Sequence, residues 1–459
     1  MSASLVGSEM CIRDSLWPVR PSYTAAMFRA RVVAVALCLP AAASAGNDEG
    51  IALSDDAALA GGAVVAMVCD GASLFYNPAG LACGTRDQID VGATATLLRL
   101  YRLPGLLSTT AGAEANGSFT EFVSVPSALS YVRAIGADLR LGVGLFVPES
   151  FSSTLSVALT DPNGTFNLDV TSRQSIYVAS AGLGWRAGPR LRLGASLSAV
   201  YVSVLANGVA WAGYGPEGSD QIFGLSQMFS VSAIGATANV GAQWEARPGL
   251  HIGFSLRAPT VLLLTAVSGA QVAGMATTDP PMTHLDTADL GSVELEVHQF
   301  RALRARLGVA WAWGQSWASL EADVQPAIHD DDVGVRRRAV WNVRGGAMLG
   351  IGPRTWVGFG AFTDRAPERA PDGVLDTRVN FFGGTVGLRM DHPHRLAAGE
   401  GPADVIFTTT FGVRYAYGSG DFGAFQFASP PGDDIVGGND VISGHVHEFG
   451  LHIGSSVYF

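Results

Sequence analysis

The final stretch of the chain, "EFGLHIGSSVYF" (Glu448–Phe459), carries the pattern that decides the fold class. Its apolar side chains recur at almost every second position, and glycine, serine or histidine stands between most of them. Successive side chains of a β-strand point to opposite faces, so this stretch has one apolar face and one face of small and polar residues. The pattern predicts a strand that separates an apolar environment from a polar one.

The same alternation recurs along the chain, and short connections at 135–138, 187–189, 246–249, 314–316 and 352–354 alternate with long loops rich in glycine, proline and aspartate. Short periplasmic turns and long external loops are typical of a bacterial outer-membrane barrel. We therefore predict an all-β fold, an antiparallel transmembrane β-barrel of about 14 strands over residues 88–459. The predicted strands are 88–100, 124–134, 139–148, 172–186, 190–204, 228–245, 249–262, 292–313, 317–327, 336–350, 354–364, 378–391, 403–418 and 444–459.

Aromatic residues stand where such a barrel would meet the two membrane surfaces. Tryptophans lie beside the short turns and tyrosines lie nearer the long loops, which predicts an inner and an outer aromatic girdle. These residues are Trp185, Trp244, Trp311, Trp313 and Trp356 for the inner girdle and Tyr201, Tyr415 and Tyr417 for the outer one.

Composition supports an exported, membrane-embedded chain. The formal net charge is −11, only 15% of residues are charged, and 57 of the 459 residues are glycine. An acidic exported chain argues against nucleic acid as a partner. A large secreted β-sandwich or β-helix is the alternative, although no short repeat of the kind a solenoid needs is present.

The N-terminal region predicts export. Residues 1–26 resemble an adapter-derived, non-native translation, and residues 27–45 form a signal peptide with a basic start, an apolar stretch and the site Ala43-Ser44-Ala45. A lipoprotein acylated at Cys38 and a retained anchor are the alternatives. We expect the mature chain to be an integral protein of the bacterial outer membrane.

Residues 46–87 do not alternate, and they contain "SLFYNPAGLA" (Ser73–Ala82). Ser54 followed by two aspartates predicts a short helix start. A barrel of this width cannot fill its lumen with its own side chains, so we predict that this segment is an N-terminal hatch inside the barrel.

With the leader, the Ala-rich segment, the strands and the final Phe459, the motif Asn77-Pro78-Ala79-Gly80 resembles the FadL-type outer-membrane transporters of long-chain fatty acids and other hydrophobic compounds. The resemblance implies capture of a hydrophobic ligand by external loops, hatch-gated passage and lateral exit through the barrel wall. It also implies that Asn77 and Pro78 form a stiff hatch tip facing the ligand route.

The family's kinked third strand would fall at 141–150, with Gly142 and Gly144 as the kink positions or, alternatively, as small lumenal residues. The terminal strand ending at Phe459 resembles the signal read by the barrel assembly machinery. Other expected partners are outer-membrane lipids and lipopolysaccharide, and the barrel is expected to be a monomer.

Cys69 and Cys83 bracket the motif in an oxidising compartment, so a disulfide is predicted, with two free buried thiols as the alternative. Closing a loop of this size would contribute roughly 3 kcal/mol on the chain-entropy estimate.

Charged residues on three successive predicted strands project into the lumen by parity. They provide either an arginine for a ligand carboxylate or a structural ion-pair network. These residues are Arg304, Arg306, Glu321, Asp323, Arg338 and Arg344.

Two apolar stretches, 222–229 and 261–267, run into long loops. They predict a hydrophobic capture surface or, alternatively, strand tips above the membrane. The candidates are Ile222, Phe223, Leu225, Met228, Phe229, Leu262, Leu263 and Leu264.

His445 and His447 share a strand face, but no third ligand has suitable spacing, so neither a metal site nor a cofactor is predicted. The sequence contains no nucleophile elbow, phosphate loop or H-E-x-x-H motif, and we predict that the protein is not an enzyme. The predicted function is passive uptake of fatty acids or other hydrophobic small molecules. A general diffusion porin and a display or secretion barrel are the alternatives.

Overall fold

The computed structural model describes residues 50–215, 221–278, 281–294, 301–330, 335–369, 371, 377–395, 404–429, 436–437 and 441–459. The predicted leader segments, 1–26 and 27–45, lie outside these residues. None of the helices in the described ranges is both long enough and apolar enough to cross a membrane.

Two short α-helices and one 3₁₀-helix precede a long series of strands. The helices are α1 (Asp55–Leu59), α2 (Ser73–Tyr76) and the 3₁₀-helix Pro78–Ala82. The strands are β1 (Gln88–Thr109), β2 (Glu114–Ala134), β3 (Leu139–Asp161), β4 (Gly164–Arg186), β5 (Leu191–Tyr214), β6 (Gln221–Arg247), β7 (Leu250–Arg257), β8 (Val261–Thr278), β9 (Pro281–Glu294), β10 (Arg304–Trp313), β11 (Ser316–Gln325), β12 (Ile328–Asp330), β13 (Val335–Arg337), β14 (Val340–Gly352), β15 (Thr355–Asp364), β16 (Thr377–Arg395), β17 (Asp404–Gly423), β18 (Phe425–Phe427), β19 (Val436–Gly437) and β20 (Val441–Tyr458).

The wall is a closed 14-strand antiparallel barrel, as the alternation predicts. Each wall strand pairs with the next along the chain, and β1 closes the cylinder by pairing with β20 from Gln88↔Tyr458 to Arg102↔His445. Closure removes the sheet edges whose unpaired backbone groups would otherwise meet lipid. The wall order is β1, β2, β3, β4, β5, β6, β7, β10, β11, β14, β15, β16, β17 and β20.

One excursion from the wall differs from the predicted strands. The prediction of one strand over 249–262 and one over 292–313 is wrong. The wall strand β7 ends at Arg257, and β8 and β9 form a hairpin that pairs with the upper part of β6. Alternation continues into this hairpin because it too has two unlike faces, so periodicity alone does not mark where the chain leaves the barrel.

The outward side chains define the membrane belt. Large apolar residues such as Leu197, Leu320 and Phe411 are exposed on this face, and Trp185 and Trp244 stand beside the short turns. Since short turns lie on the periplasmic side of such barrels, the long strand tips and the β8–β9 hairpin lie on the external side.

Candidate functional site

Residues 50–87, which we call the hatch, contact the inner wall directly through backbone. A Cβ atom added to Gly194 would lie 2.2 Å from the carbonyl carbon of Pro78, and one on Gly241 would lie 1.9 Å from Asn77 Oδ1. Only glycine leaves room for so close an approach. Further wall glycines at which a Cβ would lie 2.8 Å or less from the hatch are Gly142, Gly182, Gly184, Gly253, Gly308, Gly346, Gly358, Gly360, Gly387 and Gly454. We call this set the glycine ring.

The Asn77 side chain is fully occupied by the protein. Its Nδ2 donates to the carbonyl oxygens of Val65 (2.7 Å) and Ala242 (3.1 Å), and its Oδ1 accepts from the Ala79 amide (3.2 Å). Pro78 takes the first position of the 3₁₀-helix, where a missing N–H costs little. The expectation that Asn77 faces the ligand route is therefore wrong, because this residue is buried and ties the hatch to β6.

A disulfide joins Cys69 and Cys83, whose Cα atoms are 5.3 Å apart. The loop that it closes contains both α2 and the 3₁₀-helix with Asn77-Pro78-Ala79-Gly80. Cross-linking removes unfolded conformations of this loop, so it restrains the part of the hatch that packs against β3 to β6.

Glu321 of β11 is the wall residue that holds the middle of the hatch. Its Oε2 accepts from the backbone amides of Val64 (3.0 Å) and Val65 (2.9 Å), and the residue is buried. One carboxylate thus satisfies two amides of a hatch turn that has no helix to satisfy them.

The other predicted lumenal charges form ion pairs around Asp323. Its carboxylate lies 3.1 Å from Arg304 and also contacts Arg344, which is 3.6 Å from Glu321. Arg306 is buried beside the Tyr76 ring of the hatch. This geometry fits the structural ion-pair interpretation of the cluster better than an arginine open to a ligand carboxylate.

Arg338 does not join this cluster. The predicted strand 336–350 begins four residues too early, because β14 starts at Val340. Arg338 instead donates to the carbonyl oxygen of Ala366 (2.9 Å) and to Asn380 Oδ1 (3.2 Å). Counting alternate residues from a strand start that is too early placed Arg338 among the lumenal charges, where it does not belong.

A second set of lumenal charges was missed. Arg99 of β1 bridges Glu448 (2.8 Å) and Glu121 (3.3 Å), and Arg414 lies 2.7 Å from Glu448. Parity within β20 places Glu448 opposite the apolar face, so the signal was present in the alternation. Together the two sets form a charged layer above the hatch.

Above the charged layer, the external part of the lumen is filled by apolar side chains that we call the mouth cluster. Two of its members, Phe425 and Phe427, come from a short segment after β17 and are completely buried. The cluster comprises Tyr101, Leu103, Leu106, Leu107, Leu155, Val157, Leu159, Phe166, Leu168, Val170, Ala210, Ala212, Tyr214, Phe223, Leu225, Phe362, Val379, Phe381, Ala416, Phe422, Phe425, Phe427 and Val446.

The segment 424–429, which we call the strap, crosses the external end of the lumen. It pairs in parallel with β1, and the Tyr214 hydroxyl donates to the carbonyl oxygen of Ala428 (2.8 Å). The Ser429 amide donates to Thr110 Oγ1 (2.7 Å). The strap thus closes the mouth with backbone pairing to β1 and β19, hydrogen bonds that link Ala428 and Ser429 to neighbouring side chains, and a buried pair of rings.

The predicted capture residues divide between two surfaces. Phe223 and Leu225 lie in the mouth cluster, and Leu262 is buried in a lower apolar cluster. The others lie in strands β6 and β8 rather than loops: Ile222, Met228, Leu263 and Leu264 are exposed, and Phe229 is half-buried.

The barrel wall has one long interruption among the described strand pairs, between β2 and β3. Pairing holds at Glu121↔Ser153 and again at Ala128↔Phe146, so residues 122–127 and 147–152 are unpaired. The register is the same on both sides, which would put Pro126 opposite Pro148. Neither proline can donate a ladder hydrogen bond, and this explains why pairing fails here. We call this interruption the β2–β3 gap.

The predicted kink positions are wrong. Gly142 and Gly144 pair regularly with Val132 and Ser130, and Gly142 belongs to the glycine ring. The irregularity in β3 falls later, where a bulge against β4 separates Phe146 from Glu149. Pro148 in the predicted third strand was the available signal, but recognising its partner Pro126 required the register.

The lumenal side of the gap is covered by a small apolar cluster of Leu97, Val123 and Phe151. The first described hatch residues adjoin it, and the Ile51 amide lies 3.4 Å from the Pro148 carbonyl oxygen. Cavities of about 30, 30 and 10 Å³ surround residues 50–52. Each is far smaller than the roughly 300–1,000 Å³ of a small-molecule pocket, so none of the three could hold a ligand in the present conformation.

His445 and His447 lie on the outward face of β20, away from the lumen. Within the described parts of the chain, no group of three or more His, Cys, Asp or Glu side chains could hold a metal ion.

No protein-family model matches the chain, and no curated protein sequence does. Solved structures do match. A Pseudomonas aeruginosa FadL homologue is 11% identical over 90% of this chain and 99% of that chain, with a TM-score of 0.54. The toluene transporter TodX of Pseudomonas putida is 14% identical over 89% and 99%, with a TM-score of 0.57. The toluene transporter TbuX of Ralstonia pickettii is 14% identical over 90% and 99%, with a TM-score of 0.53. The chain therefore has the fold of the FadL-type outer-membrane transporters.

Proposed function

We propose that the protein is an outer-membrane channel for passive uptake of hydrophobic small molecules, which enter at the mouth cluster and leave sideways through the β2–β3 gap. The observation that carries the proposal is the combination of an apolar mouth, a hatch fixed to the wall below it and a wall opening between them. The fold shared with toluene transporters and a FadL homologue supports the same class of ligand.

The filled lumen argues against a general diffusion porin. A porin needs a water-filled passage along the barrel axis. Here the hatch, the charged layer and the mouth cluster fill the lumen, and the hatch lies directly against the wall at the glycine ring. A molecule that stayed in the lumen would have to displace the hatch.

Apolar side chains mark both ends of a route from the mouth to the gap along β1 and β3, and the ion-paired Arg99 lies between them on β1. Leu103 and Leu155 belong to the mouth cluster, and Leu97 and Phe151, further down the same strands, cover the gap from inside. Lateral exit along this route delivers an apolar solute to lipid without exposing it to the periplasm.

The charged layer favours neutral ligands. Arg99, Arg344 and Arg414 each contact at least one carboxylate, so a fatty-acid head group would have to replace an existing ion pair. A neutral hydrocarbon needs only to displace apolar side chains from one another, which costs far less than unpairing a buried charge.

The test compares uptake of radiolabelled toluene and oleate by cells expressing the wild type and Pro126→Val/Pro148→Val. The two valines restore backbone donors, and two new ladder hydrogen bonds of about 1 kcal/mol each would reduce opening of the gap roughly tenfold or more. We expect toluene uptake to fall accordingly and amide exchange at 122–127 to slow.

Pro393→Val is the matched control, because Pro393 lies in a fully paired stretch of β16 opposite Ile406. It should leave toluene uptake unchanged. Slower exchange at the gap with undiminished toluene uptake would refute lateral exit, and oleate uptake faster than toluene uptake would refute the preference for neutral ligands.

A further inference from the structure

A basic and aromatic patch lies on the outward face of the barrel at its external end, apart from the ligand route. Tyr415 and Tyr417 of β17 stand beside His445 and His447 of β20, and β1 contributes Arg102. One or two rungs below, the outward residues of the same strands are apolar, including Phe449, Phe411 and Val413. The patch therefore lies where the hydrocarbon belt ends.

The two imidazoles are held by the tyrosines. The Tyr417 hydroxyl lies 2.7 Å from His445 Nδ1, and the Tyr415 hydroxyl lies 3.0 Å from His447 Nδ1. Both pairs of rings are stacked, with interplanar angles of 25° and 30°. Each imidazole is thus oriented by its Nδ1, which leaves its Nε2 for a partner outside the protein.

Arg102 is directly opposite His445 in the β1–β20 register, and its side chain is exposed. It makes no ion pair or side-chain hydrogen bond with any described residue. Higher up, Asp421 of β17 already forms an ion pair with Arg378 of the neighbouring strand β16. Among the described residues, no acidic side chain pairs with the positive charge of Arg102.

A guanidinium that faces lipid requires an anion at the level of the head groups, because isolated charge in hydrocarbon is costly. A planar guanidinium fork with imidazole donors beside it suits phosphate oxygens. The external leaflet of an outer membrane presents phosphate on lipopolysaccharide. We propose that Arg102, His445 and His447 form a binding site for a phosphate group of lipopolysaccharide, with Tyr415 and Tyr417 positioning the imidazoles.

The test is native mass spectrometry of the purified full barrel in detergent, titrated with bisphosphorylated lipid A. The variant Arg102→Gln/His445→Gln/His447→Gln removes the guanidinium charge and both imidazoles without altering the lumen. Arg354→Gln is the matched control, since Arg354 is an exposed arginine in the turn between β14 and β15 at the periplasmic end. The fold of each variant is checked by the heat-dependent gel mobility of the barrel.

We expect the triple variant to bind bisphosphorylated lipid A at least about tenfold more weakly, the size of effect expected when one charge-assisted hydrogen bond or more is lost. Arg354→Gln should bind as the wild type does, and chemically dephosphorylated lipid A should bind wild type and triple variant equally weakly. The single variant Arg102→Gln should show an intermediate loss.

Three results would overturn the proposal. One is unchanged lipid A binding by the folded triple variant. Another is equal wild-type affinity for phosphorylated and dephosphorylated lipid A, which would indicate contact with acyl chains only. The third is displacement of lipid A by equimolar inorganic phosphate, which would indicate an anion site with no preference for the lipid.

Discussion

The lower and upper halves of the lumen are lined by the same strands but filled in opposite ways. Below, the wall presents glycine, and the hatch backbone lies against it with buried polar anchors at Glu321 and Asn77. Above, the wall presents large apolar side chains, and the strap closes the space with two phenylalanine rings. Backbone packing with specific hydrogen bonds has one arrangement, whereas apolar contacts are non-directional and can be exchanged for contacts with an apolar ligand.

This difference indicates which part of the molecule moves when a ligand passes. A hatch fixed by a disulfide, by the Glu321 hydrogen bonds and by the glycine ring is not suited to leave and return with each ligand. Among the described residues, the mouth cluster consists of apolar side chains, and the strap carries its side-chain hydrogen bonds at Ala428 and Ser429 rather than at its two rings. We therefore expect the strap and the mouth cluster to open while the hatch stays in place. The ligand then leaves at the β2–β3 gap, between the two.

The largest expected effect is on the strap. Phe427→Ala removes a completely buried ring, and such truncations cost about 3–5 kcal/mol in protein cores. We expect amide exchange of residues 424–429 to accelerate by about a hundredfold or more. Phe382→Ala, which truncates an exposed outward ring, is the control and should leave strap exchange unchanged. Equal exchange in wild type and Phe427→Ala would show that the ring does not hold the strap closed.

The next effect is on the hatch. Glu321→Ala leaves the Val65 amide without its acceptor and the Val64 amide with only the Gly62 carbonyl oxygen, and an unpaired buried group costs about 1–3 kcal/mol. We expect faster amide exchange in the hatch and a rise in ion conductance across planar bilayers. Glu321→Gln retains an acceptor oxygen and should have a smaller effect. Conductance and exchange that match the wild type in Glu321→Ala would mean that the hatch is held by other contacts.

The smallest expected effect is a pH dependence of the hatch. Burial, followed by the nearby Asp90 carboxylate, raises the pKa of Asp70 well above its ordinary value of 3.8. The folded hatch therefore holds this proton more tightly than the unfolded chain. Protonated Asp70 therefore stabilises the folded hatch fully at pH values below 3.8. This stabilisation is lost as the pH rises through the raised pKa of Asp70.

In the wild type, the Ala72 amide donates a hydrogen bond to Asp70 Oδ1 over 3.0 Å. The variant Asp70→Asn keeps an acceptor oxygen for this amide. We expect it to stabilise the hatch modestly at neutral pH and to flatten the change in hatch amide exchange between pH 5 and pH 8. Asp138→Asn, in the exposed turn after β2, serves as the control. A variant whose pH profile matches the wild type would exclude Asp70 as the source.

Period-two alternation predicts the barrel because every wall strand must face lipid on one side, and this holds from β1 to β20. Parity within a correctly placed strand also predicts that Arg304, Glu321 and Asp323 face the lumen. It fails for Arg338, since parity has no meaning beyond the end of a strand. Alternation did not predict the β8–β9 hairpin, because it does not reveal which strand is the neighbour of which.

The features that distinguish the two halves are contacts between distant segments, and for that reason they were not predicted. A wall glycine has the same appearance in the sequence whether it faces empty lumen or the hatch backbone. Pro126 and Pro148 matter only because the register makes them opposite each other. Phe425 and Phe427 lie in a loop that has no period, so nothing local indicates that the chain folds back into the mouth.

Lateral exit through the β2–β3 gap is tested most directly by photo-crosslinking with a neutral alkyl diazirine in reconstituted outer-membrane vesicles, followed by peptide mapping. The account predicts labelling of the strap and mouth cluster and of residues 122–127 and 147–152 at the gap. It predicts no labelling at the periplasmic end of the hatch, where Gly84, Arg140 and Arg186 line a cavity of about 140 Å³. Labelling at that periplasmic end, with the gap peptides unlabelled, would show that the ligand passes through the hatch and would contradict the account.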